Sequence, residues 1–311
     1  MTRTAIVVAH GGRPEALVAL RETLHELAAA GFEVVLHDDH ERLPVHGDLQ
    51  GSRHDSIGDA EIVVVLGGDG TILRAAELTR GTDVPILGVN LGHVGFLAEA
   101  EREDLRAAVH RIGARDYEVE ERGIVEVSVR TPQGDVLTGW ALNEATVEKA
   151  DRERMIEVVV EVDGRPLSSF GCDGVIVATA TGSTAHAFSG GGPVVWPDVD
   201  AMLLVPLAAH ALFARPLVVG PRSAFAIEVV PDSQTSGVLT LDGRRRVDVA
   251  PGSRIEVTLG TDRVRLARLS HALFSDRLVN KFDLPVVGWR GAARASAEHR
   301  STTPVAPDQE A

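Results

Sequence analysis

Cysteine is almost missing from this chain: of 311 residues only Cys172 carries a thiol. No internal disulfide framework can form, which favours a reducing compartment. Positive charge is short as well, with 31 Lys and Arg against 45 Asp and Glu and a formal net charge of −14. That balance excludes a general affinity for nucleic acid or anionic lipid, both of which need clustered cations. A phosphorylated ligand would need local positive groups or a bridging divalent cation. Long apolar runs are lacking, so no membrane span is expected. The first apolar run is broken at His10-Gly11 and is too short for a signal-peptide core. Together these absences predict a soluble, cytoplasmic protein. Two motifs are also missing. Without Gly-x-x-x-x-Gly-Lys-Ser/Thr the chain is no P-loop enzyme, and without a well-formed Gly-x-Gly-x-x-Gly it is no standard dinucleotide-binding dehydrogenase.

What is present is enough apolar residue, 44%, for a substantial core. The first third alternates strand and helix signals. Thr4–Ala9, Glu33–His37, Glu61–Leu66 and Val84–Val89 read as strands, while Leu17, Leu20, Leu24 and Leu27 recur at helical spacing and Ile72–Leu78 has room for a second helix. Short apolar strands separated by helices predict a parallel sheet covered on both faces. From about residue 117 the pattern turns to β. Strands are predicted at Val119–Arg130, Val136–Val147, Ile156–Val162, Val175–Thr179, Met202–Val205, Ala224–Val230, Val238–Leu241, Arg254–Thr258 and Arg263–Ala267. The expected organisation is an α/β domain over 1–116 and a mostly β domain over 117–270. A C-terminal segment, 271–291, is expected to pack back on the first domain, followed by a disordered tail, 292–311.

The sharpest local signal is Gly67-Gly68-Asp69-Gly70-Thr71, placed where a strand ends and a helix begins. In open α/β sheets ligands bind outside the carboxyl ends of strands. Glycines at 67, 68 and 70 leave the backbone amides open to a phosphate chain, and Thr71 is expected to cap the helix, whose N-terminus favours negative charge. Asp69 is then a carboxylate in a phosphate loop, a place that makes sense if it works on a proton or a metal. Taken alone, the string reads equally well as an ordinary Gly-Asp-Gly turn.

The loop resembles the GGDGT motif of NAD kinases, shared more loosely with lipid kinases and phosphofructokinases. Three further segments resemble NAD kinases specifically: Gly88–Leu97, a second glycine-rich loop; the pair Asn143-Glu144; and Asp173–Ala185. Ser189–Pro193, His210–Val218 and Arg277–Trp289 extend the likeness, which runs in order from about Ile62 to Trp289.

This resemblance implies a kinase that transfers the terminal phosphoryl group of ATP, or of a polyphosphate, to the 2′-hydroxyl of the adenosine ribose of NAD. Asp69 takes the position of the base that removes the hydroxyl proton, Gly70 leaves the ribose room, and Arg74 is a candidate phosphate contact. Asn143 and Glu144 are implied to hold the dinucleotide, and Arg154 to present a basic group to it. Asp173 is implied to accept from an amide or amino group, with Thr181 and Thr184 offering hydroxyls and Ala185 leaving space for a flat ring. His186 and Ser189 complete the implied substrate contacts. Magnesium or another divalent cation is implied with the triphosphate, as is a homo-oligomer, dimer or tetramer.

Some readings stay bland. Asp242-Gly243 reads as a hairpin turn, and Cys172 as a packing residue. His37-Asp38-Asp39-His40, with His46 nearby, fits no standard zinc spacing. The chain also departs from the family pattern. Ala180 stands where the family usually has Pro, His186 where it has Tyr, and Gly190 where it has Ala, while Leu207 and Ala208 are more apolar than the corresponding positions. These departures bear on substrate affinity and on NAD-versus-NADH preference. Two other readings compete with an NAD kinase: a GGDGT-type kinase of a lipid or sugar hydroxyl, against which Asn143-Glu144 and Asp173–Ala185 speak, and a non-catalytic NAD- or NADP-binding paralogue.

Overall fold

A computed structural model describes residues 3–9, 14–37, 57, 59–92, 95–270 and 273–286. The chain divides into a unit ending at His271 and a short C-terminal unit. In chain order the first unit runs β1 (Arg3–Ala9), α1 (Pro14–Ala29), β2 (Phe32–His37), β3 (Ile62–Leu66), α2 (Asp69–Thr79), β4 (Ile86–Asn90), β5 (Ala100–Glu101) and α3 (Leu105–Gly113). It continues with β6 (Glu118–Arg130), β7 (Val136–Ala141), β8 (Glu144–Lys149), β9 (Ile156–Val162), β10 (Arg165–Cys172) and β11 (Gly174–Thr179). A short 3-10 turn, Thr181–Thr184, leads to α4 (His186–Ser189), and then follow β12 (Met202–Leu207), β13 (Leu217–Val219), β14 (Ala224–Val229), β15 (Gly237–Leu241), β16 (Arg245–Val249) and β17 (Arg254–Arg268).

Strands β2, β1, β3 and β4 pair in parallel. Their side chains alternate between two faces, as the pleat requires. Ile6, Val8, Val63 and Val65 pack with Ile72, Ala75 and Ala76 of α2. Ala5, Val7, Val64 and Leu66 pack instead with Leu27 of α1 and with Leu105, Val109 and Ile112 of α3. This is why β3 reads as an unbroken apolar run: both its faces are covered, and all five residues are buried.

The sheet does not stop where the pattern changes. Strand β17 pairs in parallel with β4 and antiparallel with β6 and β14, so the parallel strands continue into an antiparallel group. A second sheet, all antiparallel, has the order β13-β12-β11-β8-β15-β16. The antiparallel half of the first sheet packs on it, burying Val127, Val158, Val177, Leu204, Leu239 and Val257 in one shared core.

Three expected strands are corrected. Val136–Val147 is not continuous: β7 pairs with β6 in the first sheet, and β8 pairs with β11 and β15 in the second, with Leu142-Asn143 crossing between layers. Conversely, Arg254–Thr258 and Arg263–Ala267 are one long strand, β17, whose register on β6 shifts between Leu259 and Arg263. Helix α3, outside the elements expected above, buries Leu105, Ala108, Val109 and Ile112, which are spaced for one helix face. The C-terminal unit, by itself, holds α5 (Phe274–Phe282), at whose start the Leu273 amide donates to Asp276 Oδ2 at 3.2 Å. The tail 292–311 lies outside the described residues. Among the described residues, no helix is long and apolar enough to cross a membrane.

Candidate active site

The glycine loop forms where β3 ends, and Asp69 is the first residue of α2. Its acidic side chain there complements the helix dipole. The expected cap is corrected. Gly68 is the N-cap residue, without a side-chain cap, while Thr71 lies buried inside the first turn. Its backbone amide donates to the Gly68 carbonyl at 2.9 Å.

Both oxygens of Asp69 are engaged by the second glycine-rich loop: the Phe96 amide donates to Oδ2 at 3.0 Å and the Leu97 amide to Oδ1 at 3.1 Å. These bonds fix the carboxylate plane and still leave lone pairs for a ligand hydroxyl. They also explain Gly95, because a Cβ built there would lie 2.2 Å from Asp69 Oδ1. The two glycine loops, read separately in the sequence, are thus one device.

Beside Asp69 opens a cleft of about 390 Å³, lined by Gly67, Gly68, Thr71, Arg74, Asn90 and Arg244 among others. Asn90 pins the wall after β4: its Nδ2 donates to the Glu101 carboxylate at 3.1 Å, and its Oδ1 accepts from the Gly92 amide at 3.3 Å. The Arg74 guanidinium is pushed below its usual pKa by burial and by the neighbouring charge of Arg244. His93 and Val94, in the middle of the second loop, lie outside the described residues, as does the His-Asp segment after His37.

Asn143 and Glu144 sit at the crossing between sheets. What holds the crossing is Asp242. Its Oδ2 accepts from the Leu142 amide at 2.9 Å, and its Oδ1 from the Asn143 and Glu144 amides at 2.7 and 3.4 Å. Arg245 Nη2 donates to the same carboxylate at 2.9 Å. Asp242-Gly243 does form the β15–β16 hairpin turn, both residues at positive φ (50° and 69°). The reading of it as only a turn is corrected, because the carboxylate organises the Asn-Glu pair. Burial raises the Asp242 carboxyl, and Arg245 and the three amides oppose that rise.

Glu144 is buried, with Oε2 lacking a hydrogen-bond partner. Burial, then the nearby Asp242 charge, push its pKa up to about 8, against a lowering by the His186 backbone amide. The signature turn closes over this pair. A Cβ on Gly182 would lie 2.0 Å from the Asn143 carbonyl oxygen, so only glycine permits this approach. Thr179 Oγ1 donates to the Leu142 carbonyl at 2.6 Å and accepts from the Gly182 amide at 3.1 Å. The Thr181 hydroxyl accepts from Arg122 Nη1 at 3.3 Å, and that of Thr184 donates to the Thr181 carbonyl at 3.3 Å. Ala185 and His186 are half-buried, and Ser189 is exposed at the end of α4.

Not every implied contact gathers here. Asp173 precedes β11 and ion-pairs with Lys149 at 2.6 Å, a partner the sequence did not reveal. Glu144 and Lys149 are opposite ends of β8, a separation of roughly 17 Å at ~3.4 Å per residue. Arg154 lies in an exposed turn near the Asp173 end, 3.9 Å from Asp151. The departures, by contrast, fit their surroundings. Ala180 has φ −56°, an angle proline also adopts. A Cβ on Gly190 would meet Leu207 Cδ2 at 2.9 Å, so the small residue at 190 and the large apolar one at 207 compensate each other.

Comparison with known proteins agrees with this geometry. The model of the ATP-NAD kinase N-terminal domain matches residues 6–117, and that of the ATP-NAD kinase C-terminal domain matches 142–269. The chain is 54% identical to the NAD kinase of Thermobifida fusca, covering 94% of this chain and 92% of that one. It is equally 54% identical to NAD kinase 2 of Streptomyces coelicolor, over 93% and 97% of the two chains. Among solved structures, an NAD kinase from Archaeoglobus fulgidus in complex with ATP superposes with a TM-score of 0.70 at 28% identity, covering 90% of this chain and 98% of that one. Yeast NADH kinase complexed with NADH shares the fold, with a TM-score of 0.80 at 20% identity over 91% and 88% of the chains.

Proposed function

The chain belongs to the NAD kinase family and phosphorylates NAD, and from that premise we propose that Asp69 is its general base. The observation that carries this is the Asp69 carboxylate itself, fixed by two amides at the edge of a glycine-lined cleft. The ribose 2′-oxygen of NAD attacks the terminal phosphorus of ATP, the bond to the bridging oxygen breaks, ADP leaves and Asp69 takes the hydroxyl proton. Because the transition state is loose, holding the reactants in line and neutralising phosphate charge matter more than base strength. Gly67, Gly68 and Thr71 form the phosphate wall with Arg74, and Gly70 leaves room for the ribose.

Asn143, Glu144, Thr181, Thr184, Ala185 and His186 form the dinucleotide side of the site, with Ser189 at its rim. Asp173 and Arg154 belong to the far end of β8, where an extended dinucleotide would have to reach them. Magnesium accompanies the triphosphate. Phosphate oxygens and water would supply most of its ligands, as they do for a divalent cation carried by a triphosphate. The cytoplasm, where ATP and NAD are both available, is the compartment that fits a lone cysteine buried in the core, its thiol pushed up to about 12 by burial. We also propose a homo-oligomer, dimer or tetramer. Leu212 and Phe213 are exposed between β12 and β13, and sedimentation showing only monomer at micromolar concentration would remove that proposal.

The test is NADP formation from NAD, ATP and magnesium, followed against pH and stopped by chelation. Glu144 accepts ribose hydroxyls as a carboxylate. Since its carboxyl titrates near about 8 in the free protein, only about one molecule in ten is ionised at neutral pH. Raising the pH supplies the binding form, so KM for NAD should fall by about tenfold between pH ~7 and ~9. Glu144→Gln should flatten that dependence. A pH-independent KM in the wild-type protein refutes the role given to Glu144.

A further inference from the structure

We infer that Arg244 contacts the transferring phosphate of the donor nucleotide, opposite Arg74. The inference rests on the reading above that the Gly67–Thr71 cleft receives the donor phosphates. Arg244 comes from the β15–β16 turn of the second sheet, yet it lines the same cleft as Gly67, Gly68 and Thr71. Its Nη2 is 3.8 Å from Glu77 Oε2, while its Nη1 is buried with no hydrogen-bond partner. A guanidinium carries five donors in a rigid fork, and a buried one left unmade is costly unless a ligand completes it.

The nearby carboxylates are engaged mainly by Arg245. Glu77 is nearer to Arg245, at 3.2 Å, than to Arg244, and Asp242 is bound to Arg245 at 2.9 Å. Arg74, Arg244 and Arg245 thus gather around Glu77, in a protein whose net charge is −14. Burial first, and then the nearby charge of Arg244, lower the pKa of Arg74, so the two guanidiniums lie close together. Two guanidiniums held close beside a glycine loop and the N-terminus of α2 match a phosphate with charge on several oxygens. The position also has a geometric consequence. Asp242 grips the backbone of Asn143-Glu144, and Arg244 follows two residues later on the same turn. One hairpin therefore fixes the distance between the ribose side and the phosphate side of the reaction.

The experiment is steady-state kinetics of Arg244→Gln, Arg244→Lys and Arg74→Gln, each with ATP and NAD varied separately. Arg244→Gln should raise KM for ATP about tenfold and lower kcat about tenfold, the loss of a charge-assisted contact. KM for NAD should change less than about twofold. Arg244→Lys, which keeps the charge next to Glu77 and the fold with it, should recover part of the loss. The inference is overturned if ATP parameters of both Arg244 variants stay at wild-type values while Arg74→Gln raises KM for ATP. It is equally overturned if Arg244→Gln raises KM for NAD as much as for ATP. If neither Arg74→Gln nor Arg244→Gln affects ATP, the cleft is not the donor site, and the reading of the loop fails along with the inference.

Discussion

Asp69→Asn should reduce kcat by about three orders of magnitude, within the span of 10²–10⁴ that a positioned general base contributes. The substitution keeps the shape and removes the proton acceptor. It has a second effect that the geometry makes explicit. Phe96 and Leu97 each donate an amide to one carboxylate oxygen, and an asparagine keeps only one oxygen. One amide must then face an NH₂ group, a local cost of about 1–3 kcal/mol for the unmet donor. The second glycine loop should loosen slightly while NAD still binds. The measurement is kcat with the NAD dissociation constant from calorimetry on the same preparation. Affinity retained within about threefold alongside the collapse in turnover supports the base. A variant that keeps more than about a tenth of its rate is incompatible with it.

The second large effect belongs to a residue that touches no reacting atom. Asp242→Ala should destabilise the protein by about 3–5 kcal/mol, the range for breaking a buried ion pair by removing one partner. The carboxylate is buried, three backbone amides lose their acceptor, and Arg245 loses an anionic partner at 2.9 Å. At roughly 2–4 °C per kcal/mol for a domain of this size, Tm should fall by about 10 °C. The Leu142–Glu144 crossing should relax as well, so KM for NAD should rise more than KM for ATP. A Tm within about 2 °C of wild type, with both KM values unchanged, would show that the crossing holds without Asp242.

These two residues show which kinds of contribution a sequence exposes. Asp69 is conspicuous because its neighbours in the chain are its neighbours in the site: the glycines, the strand before and the helix after are contiguous. Asp242 carries no such context. The backbone amides it accepts from are 98 to 100 residues away in the chain, and Asp-Gly is what any tight hairpin would use. The same holds for Lys149 beside Asp173 and for Glu77, which looks like an ordinary helix glutamate. Glu77 is in fact buried against Arg245, whose ring partner is Trp140 at 4.7 Å to the centroid.

The strand predictions fail for a related reason. Val136–Val147 has uninterrupted β character, and nothing local distinguishes a strand that stays in one sheet from one that changes sheets. The change is imposed by Asp242, which takes the amides of Leu142, Asn143 and Glu144. Within β17 the register shift between Leu259 and Arg263 reads locally as a break, yet pairing with β6 continues on both sides of it. Side-chain period reports burial on a face; it does not report which strand lies alongside.

By itself, the sequence determined the class of chemistry and the α/β-then-β plan, because each rests on short-range order: a five-residue phosphate loop, apolar runs matched to covered strands, and motifs in a fixed succession. It also put Asp69 where a strand ends and a helix begins. Only the tertiary structure decided that β17 joins the parallel strands to the antiparallel ones, that Asp69 is oriented by the second glycine loop, and that Asp242 holds the Asn-Glu crossing. It alone placed Arg244 in the cleft and Asp173 at the far end of β8. Those facts depend on which distant segments are brought together when the two sheets bury their shared core. That free energy is summed over the whole fold, and no local stretch of residues encodes it.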